Sequence, residues 1–292
     1  MENLAKEARF LGLVTLYNPD PHKASENIKM YVANLDQLLI WDNSPLSSNM
    51  KEQIMSNLDE FKDQIIWYGN GENHCIAPAI NHAWHFGKEN GYDLLLIMDQ
   101  DSQWADFATY RKEIERHYTA GEIWVYTPYV AGLDIFHIHD RIQERRFFIN
   151  SGTVIPISIL NSINGADEIF PLDAVDHDMA LRILKRGYSI RCLTSCILYH
   201  TIGQPRRSNL LNLYTPDYGL ARTYSTTRSH VLNYRKNRQW MTPYERRLIL
   251  KEFVFWKFVR IILVESDKWQ RLKQYFRGLK DGLCINLQNA KP

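Results

Sequence analysis

A short apolar run that ends in two carboxylates constrains this chain more than any other feature. The run Leu94-Leu95-Leu96-Ile97-Met98 is typical of a strand buried on both faces, and Asp99 and Asp101 follow it. Open α/β sheets bind ligands at the carboxyl ends of their strands. Two carboxylates there repel each other unless a cation lies between them, and a hard divalent cation also takes phosphate oxygens. The segment therefore indicates a metal–diphosphate site, with two solvated aspartates at a strand end as the alternative.

Strand and helix patterns alternate through the first hundred residues. Apolar runs and helical spacings predict, in chain order, strand 10–17, helix 27–35, strand 37–42, helix 50–61, strand 64–68, helix 76–88 and strand 94–98. Alternation with short connections is typical of a parallel, doubly wound sheet. The sequence therefore predicts an α/β fold with a mostly parallel central sheet flanked by helices.

The pattern is less regular after residue 100. The predicted elements are strand 123–128, extended chain over 145–159 broken at Gly152, helix 179–185, strands 189–193 and 197–200, and helices 243–264 and 268–279. The last two helices suggest a division into a domain over residues 1–205 and a mainly helical C-terminal extension over residues 206–292.

Composition narrows the class of protein. The chain has 292 residues, of which 45% are hydrophobic, so a sizeable core is expected. The N-terminus lacks a basic region followed by an apolar run, and no run of 18 uncharged apolar residues occurs, so neither a secretory signal nor a membrane-spanning helix is expected. The four cysteines form no metal-ligand or disulfide pattern, which indicates reduced thiols and a cytoplasmic location.

Other acidic residues and histidines could contribute to a site at the same edge of the sheet. Asp42 also ends a strand, where it could accept the N–H of a pyrimidine ring or begin an Asx turn with Asn43 and Ser44. Asp173, Asp176 and Asp178 precede or begin a helix. One or two acids there would stabilise the helix N-terminus, and a further one could act as a general base.

Histidines offer candidate metal ligands of unequal quality. His200 follows an apolar strand and could join two carboxylates on a metal, although an isolated histidine is more often structural. The pairs His82/His85 and His137/His139 have no third ligand nearby in the sequence, and we discount both.

Together these residues form an ordered series that resembles a known family. The series comprises Asp42-Asn43-Ser44, Asn73-x3-Ala77-x-Ala79-x-Asn81, Asp99-Gln100-Asp101-Ser102, Ser151-Gly152, Phe170-x2-Asp173-x2-Asp176-x-Asp178-x3-Arg182, and His200-x2-Gly203. It resembles the family 2 glycosyltransferases of the GT-A fold, most of all bacterial rhamnosyltransferases that use dTDP-rhamnose. The resemblance covers residues 11–228, and its most specific parts are Asp99–Ser102 and Asp173–Arg182.

The resemblance implies a role for each matching residue. It implies a nucleotide-sugar site formed by Thr15, Tyr17, Asp42, Asn73, Ala77, Asp99, Gln100, Ser151 and Arg228, with Asp42 facing the pyrimidine. It implies that Asp99, Asp101 and His200 hold Mg²⁺ or Mn²⁺ on the donor diphosphate. It further implies that Asp176 is the base that deprotonates the acceptor hydroxyl and that Asp178 supports it.

Three departures from the family pattern concern the donor rather than the metal. Cys75 stands where the family has Gly, and cysteine lacks the backbone freedom of glycine. The segment Phe170-Pro171-Leu172-Asp173 is one residue longer than the family's Phe-Ile-Asp, and Ser229 replaces an Asn. These differences leave the identity of the sugar open.

Charge is distributed unevenly along the chain. The overall net charge is +2, yet residues 204–292 contain 18 Lys and Arg against 6 Asp and Glu, a net charge of +12 that leaves −10 on residues 1–203. Residues 253–264 are apolar but interrupted by Lys257 and Arg260. This segment resembles an interfacial amphipathic helix that would contact an anionic membrane, and the alternative is a helix packed on the catalytic domain. No nucleic-acid-binding motif accompanies the basic residues, so no nucleic-acid partner is expected.

The function expected from the resemblance is inverting, metal-dependent transfer of a sugar, L-rhamnose from dTDP-rhamnose, to a glycan or lipid-linked acceptor in cell-surface polysaccharide biosynthesis. Transfer from a UDP-linked galactofuranose, glucose or galactose is one alternative. A non-catalytic nucleotide-sugar or glycan binding protein is another.

Overall fold

A computed structural model describes residues 7–119, 121–134, 140–200, 206–207, 214–215 and 218–289. The elements of the N-terminal half are β1 (Phe10–Leu16), α1 (Pro21–Val32), β2 (Gln37–Asp42), α2 (Met50–Asn57), β3 (Ile65–Tyr68), α3 (Ala77–Glu89), β4 (Leu94–Asp99), β5 (Ser102–Trp104), α4 (Phe107–Thr119) and β6 (Val125–Ala131). Those of the next part are β7 (Ile142–Arg145), β8 (Thr153–Pro156), α5 (Ile157–Ile163), α6 (Val175–Lys185), β9 (Ile190–His200), β10 (Arg206–Arg207) and β11 (Tyr214–Thr215).

The C-terminal part is helical. It contains α7 (Leu220–Asn237), α8 (Pro243–Ile249), a π-helical segment (Leu250–Trp256), α9 (Lys257–Leu263) and α10 (Lys268–Cys284). None of the helices in the described ranges combines the length and apolarity that crossing a bilayer requires.

One nine-stranded sheet organises the molecule, in the order β3-β2-β1-β4-β8-β6-β9-β5, with β7 paired to β9. Strands β3, β2, β1 and β4 are parallel, so their carboxyl ends share one edge, where Thr15 lies opposite Asp99 and Leu16 opposite Asp42. Strand β8 is antiparallel to β4 and β6, and β5 is antiparallel to β9. The antiparallel pairing of β5 with β9 places Ser102 opposite His200.

Both faces of the sheet are covered, which explains the continuous apolar runs of its strands. In β1, Phe10 and Val14 pack in the core cluster that includes residues of α1 and α4, whereas Leu11 and Leu13 pack in the cluster that includes residues of α3, α5 and α6. The period-two alternation of a strand sends successive side chains to opposite layers. Packing on both faces of the sheet therefore holds β1 and β4 in place, and with them the edge at which both strands end.

Several boundaries differ from the sequence prediction for identifiable reasons. Helix α1 begins at Pro21, six residues before the predicted start, because Asp20 caps it by accepting from the Lys23 N–H at 3.0 Å. The predicted strands 189–193 and 197–200 form one strand, β9, with a shift of register in its pairing with β6. Strands β5, β7, β10 and β11 and helices α4, α5 and α7 were not predicted, and α5 begins at Ile157, within the stretch 145–159 that was predicted as extended. Of these elements, α7 is the one that matters for the site.

The C-terminal helices are attached through buried charges as well as apolar contacts. The Glu265 carboxylate is fully buried and accepts from Lys257 Nζ at 3.1 Å, Arg271 Nη1 at 3.1 Å and Thr215 Oγ1 at 2.7 Å. Arg271 Nη1 also donates to the carbonyl of Tyr218. These bonds join α9 and α10 to the residues that precede α7. The proposed boundary at residue 205 lies outside the described residues.

Candidate active site

A cleft of about 920 Å³ opens at the carboxyl edge of β1 and β4. Its walls come from the strand ends, the 168–172 loop and helix α7. It is lined by Thr15, Leu16, Tyr17, Asn43, Asn73, Cys75, Ile76, Asp99, Gln100, Asp101, Glu168, Pro171, Leu172, His200, Tyr218, Ala221, Arg222, Tyr224, Ser225 and Arg228.

Asp99, Asp101 and His200 converge at one point of this cleft. One potential ligand atom from each lies within 4.8 Å of the other two, and His200 Nδ1 lies 3.7 Å from Asp101 Oδ1. Asp99 ends strand β4 and Asp101 lies in the turn that follows it, and β9 brings His200 beside them from a position almost a hundred residues later. Two carboxylates and an imidazole form a donor set that suits a divalent cation with oxygen ligands in its remaining sites.

The surroundings of Asp99 raise the pKa of its carboxyl group. Burial, together with the nearby charges of Asp101 and Asp176, raises the pKa of Asp99 to about 6 despite the opposing effect of His200. A cation in this position would favour the ionised form of the carboxyl group. The residues present therefore fit a divalent metal ion.

Two buried serines hold the histidine and the strand end in place. Ser151 Oγ donates to Ser102 Oγ at 2.6 Å, and Ser102 Oγ is hydrogen-bonded to His200 Nδ1 at 2.8 Å. Ser151 Oγ also accepts from the Asp99 N–H at 3.2 Å. Ser151 thus lies behind the candidate metal ligands and outside the lining of the cleft.

The ends of β1 and β2 form the other side of the cleft. Gln100 joins β4 to β1, because its Oε1 accepts from the Tyr17 N–H at 2.7 Å and its Nε2 donates to the Tyr17 carbonyl at 3.3 Å. Asp42 forms the Asx turn, with Oδ1 accepting from the Ser44 N–H at 2.8 Å. Asn43, and not the 9% exposed Asp42, is among the residues that line the cleft.

The segment before α3 closes the floor of this region. Asn73 lines the cleft, and its Oδ1 accepts from the Cys75 N–H at 2.9 Å. Cys75 has φ of +62°, so this non-glycine residue adopts the left-handed conformation for which glycine is suited. Ala77 is fully buried at the start of α3, where its N–H donates to the Pro171 carbonyl at 3.0 Å and so holds the 168–172 loop.

The three acids near the start of α6 have different surroundings. Asp176 is partly exposed, and its charge contributes to the raised pKa of Asp99. Burial raises the pKa of Asp173, although Arg222, whose Nε lies 3.5 Å from Asp173 Oδ1, opposes this. Asp178 is fully buried and accepts from Arg182 Nε and Lys236 Nζ, both at 2.7 Å. Asp178 therefore ties α6 to α7 and does not face the cleft.

Helix α7 supplies cations to the wall opposite the strands. Arg228 lines the cleft and donates from Nη1 to the Ile169 carbonyl at 3.0 Å. Arg222 also lines it, with its guanidinium 4.1 Å from the centre of the Tyr218 ring. Tyr224 reaches the same wall and donates from its hydroxyl to Asp281 Oδ2 of α10 at 2.8 Å. The C-terminal extension is thus part of the cleft.

The discounted histidine pairs have other surroundings. His82 packs between Trp41 and Tyr68, with ring centroids 5.3 Å and 4.2 Å away, and burial lowers its pKa. This is a partly buried aromatic cluster that packs against the core, and not a metal site. His137 and His139 lie outside the described residues.

Comparison with solved structures reveals the kind of fold that carries this cleft. The mannosyltransferase PcManGT from Pyrobaculum calidifontis, in complex with GDP-Man and Mn²⁺, has a TM-score of 0.60 at 13% identity, over 96% of this chain and 76% of that one. S. aureus TarS 1–349 in complex with UDP-GlcNAc has a TM-score of 0.59 at 14% identity, over 94% and 80% of the two chains. GalNAc-T7 with UDP, GalNAc and Mn²⁺ has a TM-score of 0.55 at 8% identity, over 85% and 55%.

This chain has the GT-A fold. No protein-family model and no curated protein matches its sequence. The expected fold is confirmed, and in this GT-A fold the Asp-Asp-His cluster lies at the carboxyl edge of the central sheet.

Sequence reasoning missed part of the GT-A cleft. Asn43, Cys75, Glu168, Pro171, Leu172, Tyr218, Arg222 and Ser225 line it and were not proposed as site residues. A helical pattern was available for α7, because Leu220, Tyr224, Val231 and Tyr234 recur at spacings of four, seven and three residues. The loop residues carry no such periodic signal.

Proposed function

We propose that this protein is a metal-dependent glycosyltransferase that uses a nucleoside diphosphate sugar. The observation that carries the proposal is the convergence of Asp99, Asp101 and His200 inside a 920 Å³ cleft at the carboxyl edge of a GT-A sheet. Such a cleft suits the binding of a divalent cation, a diphosphate and a sugar side by side.

Mg²⁺ or Mn²⁺ is the metal that the donor set suits. PcManGT and GalNAc-T7, which share the fold, were solved with Mn²⁺. When bound to Asp99, Asp101 and His200, the ion would act as a Lewis acid that neutralises charge developing on the leaving diphosphate.

The remaining roles fall to other side chains near the cation site. Thr15, Tyr17, Gln100 and Asn73 would contact the nucleotide, and Arg228 would contribute positive charge near the diphosphate. Asp176 would accept the proton of the acceptor hydroxyl as that oxygen attacks the anomeric carbon. A single in-line displacement of this kind inverts the anomeric centre and needs no covalent enzyme intermediate.

The finer proposal is that the donor is dTDP-rhamnose and that the acceptor is a glycan or lipid-linked intermediate of a cell-surface polysaccharide. It rests on the resemblance of Asp99–Ser102 and Asp173–Arg182 to rhamnosyltransferases. Asp42 would act through the turn that it forms beside Asn43 at the nucleotide end. A UDP-sugar is the second candidate donor, because TarS was solved with UDP-GlcNAc.

A panel of dTDP-, UDP- and GDP-sugars tests both levels of the proposal. We expect one pyrimidine nucleotide sugar to raise the unfolding temperature only when Mg²⁺ or Mn²⁺ is present, and to be hydrolysed slowly without acceptor. Metal-dependent stabilisation without any turnover, with or without acceptor glycans, would favour a non-catalytic binding protein. Stabilisation by GDP-sugars alone would exclude the rhamnose donor, and full activity in EDTA would exclude the metal role.

A further inference from the structure

Helix α10 has one face that is buried against α7. Arg271, Tyr275, Gly278 and Gly282 are buried and recur at spacings of four, three and four residues. A Cβ atom on Gly278 would lie 2.8 Å from the Tyr224 carbonyl oxygen, and one on Gly282 would lie 2.8 Å from that of Arg228. The two helices are therefore in close backbone contact along this face.

The opposite face of α10 is exposed, although it carries large apolar side chains. Trp269 is 85% exposed, Phe276 55% and Leu283 59%, and the exposed Lys273 and Lys280 lie between them at the same helical spacing. The sole acidic residue of α10 is Asp281, which is engaged by the Tyr224 hydroxyl at 2.8 Å and lies 3.8 Å from Arg277 Nε. We call Trp269, Lys273, Phe276, Lys280 and Leu283 the α10 face; it is both apolar and positively charged.

Further exposed apolar residues lie on the helices next to α10. The ring of Phe258 on α9 is 6.2 Å from that of Phe276. Leu263, at the end of the same helix, is 49% exposed, and Phe255 in the preceding π-helical segment is 58% exposed. Exposed apolar side chains therefore occur on the segments next to α10 as well as on α10 itself.

Lys257 and Arg260, which the sequence predicted to face a membrane, are bonded within the protein instead. Lys257 is buried and bonded to Glu265, and Arg260 Nη2 donates to Glu252 Oε2 at 2.9 Å. Both charges are thus satisfied within the protein, and the expectation for these two residues is wrong. Any attraction of this region to an anionic surface must come from other cations.

We propose that the α10 face is a docking surface for an anionic lipid bilayer. A tryptophan has an apolar ring and a polar N–H that suit the membrane interface, and lysine stems can lie along apolar surface with their ammonium groups among headgroups. A wholly apolar protein partner would desolvate Lys273 and Lys280 without compensation. An anionic bilayer satisfies both the lysines and the apolar side chains between them.

The charge distribution of the whole chain favours the same arrangement. The net charge of +12 on residues 204–292 is attracted to an anionic surface, whereas the −10 on residues 1–203 is repelled by it. The extension would therefore approach the bilayer first. This proposal does not depend on the proposed enzymatic function.

Vesicle co-sedimentation of the full chain tests the proposal. We expect binding to phosphatidylcholine vesicles that contain phosphatidylglycerol, little binding to phosphatidylcholine alone, and weaker binding at high salt. The double variant Lys273→Glu/Lys280→Glu should lower the partition coefficient by about thirtyfold or more, since each basic residue near the surface contributes to binding. Trp269→Ala/Phe276→Ala, which keeps the net charge, should lower it as well.

The matched control is Lys51→Glu/Lys112→Glu, which makes the same change of net charge at two exposed lysines of α2 and α4. It should bind vesicles like the unchanged protein. The proposal is overturned if the control loses binding as the α10 variant does, if the unchanged protein ignores anionic vesicles at low salt, or if sedimentation shows a dimer that Trp269→Ala/Phe276→Ala dissociates. Circular dichroism and thermal unfolding would establish that the variants are folded.

Discussion

At the scale of single residues, the candidate metal ligands are held by the protein before any ion binds. Ser102 and Ser151 fix His200 and the Asp99 backbone through hydrogen bonds. Because the candidate ligands are already in position, binding of the cation requires little rearrangement of the protein.

Asp101→Ala should abolish metal-dependent donor binding and sugar transfer. One of two carboxylate ligands is lost, while the fold persists because Asp101 is exposed. Titration calorimetry with Mn²⁺ and the donor nucleotide measures the effect. The control is Asp63→Ala, which removes an exposed carboxylate that does not line the cleft. Unchanged metal dependence in Asp101→Ala would refute the assignment.

The same Asp→Asn substitution should have different effects at two aspartates of α6. Asp176→Asn should lower kcat by roughly 10²–10⁴-fold with donor affinity unchanged, because the amide cannot take a proton. Asp178→Asn should instead lower the free energy of unfolding by about 3–5 kcal/mol, because the buried Arg182 and Lys236 lose their shared counter-charge. Steady-state kinetics and urea unfolding separate the two. A large kcat loss in a fully stable Asp178→Asn protein would mean that the base is misassigned.

Cys75→Gly should stabilise the protein. With φ of +62°, the cysteine holds a strained left-handed conformation, and glycine removes that strain at some cost in unfolded-chain entropy. The free energy of unfolding should rise by up to about 1 kcal/mol. Cys75→Ala retains a Cβ and should give no such gain, so it controls for loss of the thiol. Equal stabilities for the two variants would contradict the strain argument.

At the scale of elements, α7 connects the cleft to α10. Arg222 and Arg228 of α7 line the cleft, and the backbone of Tyr224 and Arg228 packs against Gly278 and Gly282 of α10. A change in the packing of α10 should therefore alter the binding of substrate in the cleft.

Gly278→Ala should displace α10 from α7, because the new Cβ would approach the Tyr224 carbonyl to 2.8 Å. We expect a loss of about 1–3 kcal/mol in the free energy of unfolding, as in other overpacked positions, together with a higher KM for the donor. The control is Gly219→Ser, since a Cβ at Gly219 meets no heavy atom within 4 Å. A normal KM in Gly278→Ala would show that the wall formed by α7 is independent of α10.

At the scale of the whole molecule, a buried histidine on α7 should make the stability of the protein sensitive to acid. His230 on α7 is buried with its ring stacked on Phe253 and 5.3 Å from that of His177. Burial lowers the pKa of His230 well below its usual value, and the charge of His177 lowers it further. The native state therefore holds His230 neutral.

The free energy of unfolding should fall as the pH drops below about 6.5. In that range the unfolded chain protonates His230 and the folded chain does not, so acid favours unfolding by up to about 1.4 kcal/mol per pH unit for this group. Above it both states are neutral and the contribution vanishes. Urea unfolding at several pH values should show a shallower acid slope for His230→Phe. His22→Phe, at a 77% exposed side chain, should keep the original slope.

The sequence alone determined the fold class and the core of the candidate site. Buried parallel strands require continuous apolar runs, and a strand must end where its carboxylates begin, so Asp99 and Asp101 could be located from their neighbours. His200 was harder to assign, because a single histidine after a strand is ambiguous. The resemblance of the whole ordered series to a known family favoured the metal-ligand interpretation.

The tertiary structure decided what depends on pairing between distant segments. The β5–β9 pairing brings His200 to Asp101, and close helix packing makes α7 a wall of the cleft. The same packing satisfied Lys257 and Arg260 internally and left the α10 face exposed. Local patterns report the preference of a segment for strand, helix or turn and the polarity of its faces. They do not report which other segment covers a face, because that is set by contacts between residues far apart in the chain.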